Sequence, residues 1–382
     1  MTPLLDAVKL YAARGTLRMH MPGHKGGALP FDLSPSLDVT ELPGTVAPIR
    51  DAERLLANFY GARDAVFLTC GSSQGVFAML YAVCERHSTI LVDRMCHRSV
   101  AHAAELLELN IVFIHRLARV SDSVALPVSP SDLDDVLTKE YSAVVITSPS
   151  YHGVLCDLPA LHNVCKARGV PLLIDGAHGA HLKPPPDFEL MTLSAHKTLP
   201  AIGQSAFLLV NDERLTGRLR HGAELAGTSS PSYLIMCNLD AARDYMEHTD
   251  FTPLYEAVDT LDVDCLLRSR EFQIDPLRLT LRVKNGEKAA EFLRSQGVEP
   301  EWNDEHTVIL ILSLADTPET VAKISNIIRE LDALFPDNGE LTIQKTYPLG
   351  TMKGDEFYEA GYGNPQLGRR ARGDFAPHEV RF

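Results

Sequence analysis

Ser194-Ala195-His196-Lys197-Thr198 follows directly on the apolar run Leu190-Met191-Thr192-Leu193, so a lysine stands just beyond the end of a strand-like segment. Upstream, Leu172-Leu173-Ile174-Asp175-Gly176-Ala177-His178 is a second apolar run, and it ends on an aspartate. Working outward from these two, residues 65–69, 89–93, 111–114, 143–147, 171–174 and 206–210 read as further strands. Residues 75–85, 99–109, 131–139 and 159–168 read as the helices between them. Near-continuous apolar strands alternating with helices predict an α/β fold, with a mostly parallel sheet flanked by helices on both faces. Reactive groups in such a sheet belong at the carboxyl ends of the strands. Asp175 and Lys197 both stand there.

The pattern changes after about residue 250. Leu277-Arg278-Leu279-Thr280-Leu281-Arg282-Val283 alternates with period two and predicts a half-exposed strand. A helix over 286–295, a strand over 307–312 and a helix over 318–331 follow. The expected organisation is an N-terminal arm over 1–50, a large cofactor-binding domain over 51–250 and a smaller C-terminal α+β domain over 251–382. Residues 346–382, rich in glycine and charge, receive no structural assignment.

A chain of 382 residues, 45% hydrophobic and 23% charged, has the make-up of a soluble globular protein. Its net charge of −14 argues against nucleic acid or an anionic membrane as a partner and agrees with a cationic small substrate. The seven cysteines are scattered without a Cys-x-x-Cys pair, and residues 1–18 lack a signal-peptide core. No apolar run reaches the roughly 18–20 residues of a membrane span. A cytoplasmic, reduced protein is the expectation.

Three features share one chemistry, that of pyridoxal 5′-phosphate (PLP). The cofactor's aldehyde needs a lysine amine, here Lys197. Its pyridine nitrogen needs a carboxylate that keeps it protonated, here Asp175; an aspartate in that place can also cap the next turn. Its phosphate needs free amides at a helix start, and Cys70-Gly71-Ser72-Ser73-Gln74-Gly75 provides such a start with two hydroxyls, although Gly-Ser-Ser is also common turn chemistry. His97, at another strand-to-helix junction, can stack on a ring or serve as a structural residue. The histidines at 20, 24, 178, 181 and 196 invite a metal reading, but His-Glu-x-x-His and paired cysteines are missing, and no metal site is expected. A Walker phosphate loop ending in Gly-Lys-Ser/Thr is also missing.

Taken in order, the motifs resemble the Orn/Lys/Arg decarboxylase family, PLP enzymes of fold type I. The resemblance starts with Met19-His20-Met21-Pro22-Gly23-His24-Lys25-Gly26-Gly27 and Asp38-Val39-Thr40-Glu41-Leu42. It runs through Cys70 to Gly75, Asp93 to Ser99, Pro149-Ser150-Tyr151-His152-Gly153 and Asp175 to His181. Its strongest part is Ser194-Ala195-His196-Lys197-Thr198-Leu199-Pro200 with Gln204-Ser205-Ala206, followed by residues 228–233 and 239–243.

The resemblance implies that Lys197 carries PLP as an imine, Asp175 pairs with the pyridine nitrogen and His97 stacks on the ring. Ser72, Ser73 and Gln74 would surround the phosphate, with His178, Ser194 and His196 close to the cofactor. His196 or a partner-subunit residue would be the general acid. Thr228, Ser229 and Ser230 match a segment that reaches a neighbouring subunit's phosphate site, implying a homodimer or larger assembly with shared sites.

The implied activity is decarboxylation of arginine, lysine or ornithine. Elimination or transamination on the same scaffold, or a non-catalytic assembly partner, are the alternatives. Three departures bear on substrate choice: a shortened loop at 42–49, no receiver-like N-terminal wing, and Tyr347-Pro348-Leu349-Gly350 in place of a Pro-Pro-Gly element. The 42–49 loop and the region after Tyr347 predict an open entrance with weak discrimination among the three amino acids, unless Asp355, Glu356 and Glu359 or the dimer partner supply the wall.

Overall fold

A computed structural model describes residues 15–20, 23, 25, 47–114, 118–119, 124–336, 343–344 and 351–353. Residues 42–46 of the shortened loop, the segment 347–350 and the acidic tail residues 355, 356 and 359 lie outside these. Ala47, Pro48 and Ile49 are not loop but open the helix Ala47–Tyr60.

Eight strands form the main sheet in the order Thr351–Lys353, Asn110–Ile114, Thr89–Asp93, Tyr141–Thr147, Leu172–Asp175, Leu190–Leu193, Ala206–Val210, Asp64–Leu68. From Asn110–Ile114 to Leu190–Leu193 neighbouring strands pair parallel, whereas Ala206–Val210 runs against both of its neighbours. The apolar runs are continuous because each strand feeds two cores. Leu91, Val144, Ile146, Leu172 and Ile174 pack on one face, and Ile90, Val92, Ala143, Val145 and Leu173 on the other. Each such side chain contributes about 1.5–3 kcal/mol by leaving water, so a polar residue at a strand end needs a reason to be there.

A second sheet orders Arg278–Arg282, Thr307–Ile311 and Trp302–Asn303, all antiparallel. The helix Gly286–Ser295 packs on Thr307–Ile311, and Pro318–Leu334 packs on Gly286–Ser295. The apolar cluster on one face of the main sheet continues through Leu279, Leu281, Val308 and Leu310. Leu17–Met19 pairs parallel with Val298–Pro300, tying the N-terminal segment to this part of the chain.

Two expectations need correction. The strand Arg278–Arg282 is not half-exposed: Arg278 and Thr280 are as buried as Leu279 and Leu281. Its second face meets the main sheet's loops instead of water, so the alternation marks two kinds of buried wall. The helix after Leu68 begins at Gly71, earlier than residue 75, so the Ser72-Ser73 turn is its own first turn. No described helix is long and apolar enough to cross a membrane.

Candidate active site

Three parallel strand ends converge. Asp93 ends Thr89–Asp93, Thr147 ends Tyr141–Thr147 and Asp175 ends Leu172–Asp175, with Thr147 in register with Asp175. Asp93 is fully buried, and its carboxylate accepts from Met95 N–H (2.9 Å) and Thr147 N–H (3.2 Å). Asp175 is also buried and accepts from Ala177 N–H at 3.2 Å. Burial pushes the Asp175 carboxyl above its ordinary range, Lys197 and the Ala177 amide pull it down, and Asp93 pushes it up. A buried carboxylate in this state calls for a cation in contact.

The strand Leu190–Leu193 runs into a short helix, Ala195–Thr198, that carries Lys197. Lys197 Nζ lies 3.1 Å from His178 Nε2, and Arg278 Nη2 lies 2.8 Å from His178 Nδ1. A guanidinium only donates, so Nδ1 must accept. A neutral ring then bears its proton on Nε2 and donates it to Lys197, whose nitrogen must be a free amine to accept. Burial pushes in the same direction, holding Lys197 down to about 8 despite the attraction of Asp175. Burial, then Lys197 and Arg278, keep His178 well below the usual imidazole range, hence neutral. At pH 7 an amine of this kind is about one pH unit from deprotonation, or ~1.4 kcal/mol, comparable to a single hydrogen bond.

The helix Gly71–Val83 opens against this lysine. Gly71 has φ +76° and donates to Gln204 O (2.7 Å), and Ser194 Oγ donates to Ser72 Oγ at 2.8 Å. Two hydroxyls and a 13-residue helix start therefore meet beside the lysine strand. The Gln74 side chain is engaged elsewhere: its Oε1 accepts from Cys70 N–H (3.1 Å) and its Nε2 donates to Ala223 O (2.7 Å). It fastens the turn, leaving Ser72, Ser73 and the backbone to face an anion. Thr228, Ser229 and Ser230 are exposed, in the stretch between the helices Thr216–Leu225 and Tyr233–His248. Gly227, near the start of that stretch, sits against Gln74.

His97 caps the helix Arg98–Leu106, accepting from Ser99 N–H through Nδ1 at 3.2 Å. Solvent reaches its ring, yet the charges of Lys197 and His178 also feel it, which places it at the open side of the cleft. The surrounding protein, with Lys197 next, holds its pKa below the ordinary value. His196 donates from Nδ1 to Ser205 O at 2.9 Å, and burial holds it down to about 4. Its Nε2 thus presents a lone pair. A neutral ring with this tautomer carries no proton on Nε2.

The family model for the Orn/Lys/Arg decarboxylase major domain matches residues 37–268. The chain belongs to the Orn/Lys/Arg decarboxylase family. It is 32% identical to the uncharacterized protein YaaO of Bacillus subtilis over 88% of this chain and 79% of that one. It is 24% identical to an arginine decarboxylase of Bacillus cereus over 90% of this chain and 85% of that one. Among solved structures it resembles the lysine decarboxylase LdcF of Francisella novicida with TM-score 0.65 and 17% identity, over 79% of this chain and 53% of that one. The chain thus spans about half the length of that lysine decarboxylase. A serine palmitoyltransferase of S. paucimobilis with bound PLP gives TM-score 0.62 at 14% identity, covering 84% and 88% of the two chains. These likenesses establish a PLP fold type I architecture.

The cofactor is PLP, and the residues fit it. Asp175 is a buried carboxylate in want of a cation, Lys197 an amine that burial brings towards its free form, and Ser72 with Ser194 a hydroxyl pair at a helix start. Of the histidines of the metal reading, His178, His181 and His196 have other partners, and His24 lies outside the described residues. His178 is shared between Lys197 and Arg278, and His181 Nε2 lies 2.8 Å from Asp275 Oδ1. Among the described residues no three metal-binding side chains converge.

Sequence reasoning assigned no role to Arg278, Tyr151, Glu301 or Lys25. Tyr151 donates to Glu301 Oε1 (3.0 Å) and sets its ring edge-on to His178, centroids 5.4 Å apart. Glu301 is half-buried, and its charge reaches Lys197, Lys25 and Arg278. Lys25 Nζ donates to Ile311 O (2.7 Å) and His20 O (3.1 Å), and burial holds it down to about 8. The signal that could have found Arg278 is spacing: Asp275-x-x-Arg278 has the spacing of His178-x-x-His181, with the partners in reverse order.

Proposed function

We propose that this chain decarboxylates a basic amino acid (arginine, lysine or ornithine) to its amine and carbon dioxide, with PLP held on Lys197. The supporting observation is the meeting of a buried lysine, whose ammonium form is disfavoured, and a buried carboxylate at adjacent parallel strand ends, in a chain of this family. Retention of both groups speaks against a non-catalytic assembly partner.

When bound, the cofactor supplies an electron sink for the pair left on the α-carbon as carbon dioxide departs. Lys197 gives the nitrogen that attaches it, and His178 Nε2–H orients that nitrogen. Asp175 holds a proton on the pyridine side, where its own burial makes a cationic partner favourable. Ser72, Ser73, Ser194 and the first turn of Gly71–Val83 bind the phosphate, and His97 flanks the ring from the open side. The α-carbon needs one proton in exchange for carbon dioxide. Lys197 Nζ, backed by His178, can hold that proton, whereas neutral His196 cannot deliver one. Glu301, oriented by Tyr151, supplies a carboxylate in the cleft for a cationic head group.

Thr228, Ser229 and Ser230 are read as reaching the phosphate of a partner subunit in a cytoplasmic homodimer or larger assembly. Purified protein given PLP and a panel of carboxyl-labelled amino acids tests the reaction. Labelled carbon dioxide with an equal amount of amine, from a basic amino acid, is the expected result. An oxo acid without carbon dioxide would mean elimination or transamination instead.

A further inference from the structure

Arg278 is 2% exposed, and its Nε and Nη1 have no hydrogen-bond partner among the described residues. Burying a guanidinium with two unpartnered donors is destabilising, and an apolar residue of similar volume would avoid that penalty. Its aliphatic stem is closely packed. Gly153, at φ +84°, lies so close that a Cβ there would come within 2.6 Å of Arg278 Cβ. Its Nη2 has a single engagement, His178 Nδ1. Three residues away in each segment, Asp275 and His181 make a second buried contact, so the 176–181 turn and the 275–278 segment are joined at two points.

We propose that Arg278 is a positioning residue that acts through His178: by occupying Nδ1 it confines the imidazole proton to Nε2 and thereby raises the share of Lys197 present as the free amine, ready for the cofactor's aldehyde. The logic is one of donors and acceptors. Protonating Lys197 would set an ammonium against Nε2–H. Relief would require moving the ring proton to Nδ1, where it meets the guanidinium. Arg278 therefore opposes protonation of Lys197 without touching it. Around Lys197, Asp175 and Glu301 favour the ammonium and Arg278 opposes it. Around His178 stand Lys197, Arg278, His97 and His196, all of which oppose a charged ring. The proposal rests on reading Lys197 as the cofactor lysine.

The test uses full-length protein freed of cofactor and labelled with ¹⁵N-histidine, with the His178 signals assigned by loss in His178→Gln. The expected spectrum at pH 7–8 shows a neutral His178 ring with its proton on Nε2. Arg278→Met should move that proton to Nδ1 or divide it between the two nitrogens, and Arg278→Lys should restore Nε2–H. In the same samples, pH-dependent acetylation of Lys197 read by mass spectrometry should show the free-amine fraction at pH 7 falling about tenfold in Arg278→Met, as a rise of about one in the lysine's pKa requires. A wild-type ring protonated on Nδ1, or on both nitrogens, overturns the proposal even if Arg278→Met fails to fold. An unchanged tautomer in a folded Arg278→Met overturns it as well. Borohydride trapping of PLP on another lysine would overturn it through Lys197, whatever the tautomer.

Discussion

Asp175 and Arg278 mark the two extremes of what single residues disclose. Asp175 is legible because a carboxylate at the end of an apolar strand has a short list of uses. Arg278 is not, because an arginine in an alternating strand looks like the solvent side of a ribbon. What buries it is a histidine 100 positions away, and period-two patterning carries no information about contacts at that distance. The same holds for Tyr151 and Glu301, whose hydrogen bond joins residues 150 positions apart. For Asp175 the consequence is measurable. Asp175→Asn keeps the shape and removes the charge that holds the pyridine proton, so turnover should fall by orders of magnitude. PLP affinity should fall far less, since the phosphate turn is untouched. Rapid-quench turnover alongside a PLP titration separates the two, and near wild-type turnover would remove Asp175 from its role.

Most strands and helices of the main sheet were readable as elements, since each strand is apolar on both faces and each helix follows a turn. Their ends were less so. The helix Gly71–Val83 starts four residues before its apolar pattern does, because glycine and serine carry no periodic signal while their backbone is already helical. That helix lies directly on the strand leading to Lys197: a Cβ on Gly75 would run into Thr192 Oγ1 and Cβ. Gly75→Ala should therefore push the phosphate turn away from the lysine strand, with overpacking costing about 1–3 kcal/mol. Thermal unfolding of the cofactor-free protein should show that loss, and PLP should bind more weakly. An unchanged melting temperature and PLP affinity together would mean that the helix does not rest on that strand as described.

The assembled molecule has a property that no element shows alone: its buried His152 must stay neutral. His152 is 3% exposed, its Nε2 has no partner among the described residues, and burial holds its pKa down to about 4. Between about pH 6.5 and 4 the unfolded chain takes up this proton and the folded one does not. The associated stability is therefore complete above 6.5 and lost as the pH falls toward 4, at about 1.4 kcal/mol per pH unit. Urea unfolding of wild type and His152→Gln from pH 7 to 5 should give a shallower loss in the variant; parallel losses would contradict it. At the level of assembly, a Lys197→Ala protein and a triple alanine variant at Thr228, Ser229 and Ser230 should each be inactive, yet regain activity when mixed. Failure of mixed dimers to recover activity would mean that the sites are not shared. Every one of these roles depends on where the cofactor is attached. Reduction of the PLP-loaded protein with borohydride, followed by peptide mapping, measures that directly: bleaching of the visible band and a pyridoxyl label on Lys197 are the expected result, and a label on Lys25 or Lys183 instead would contradict it.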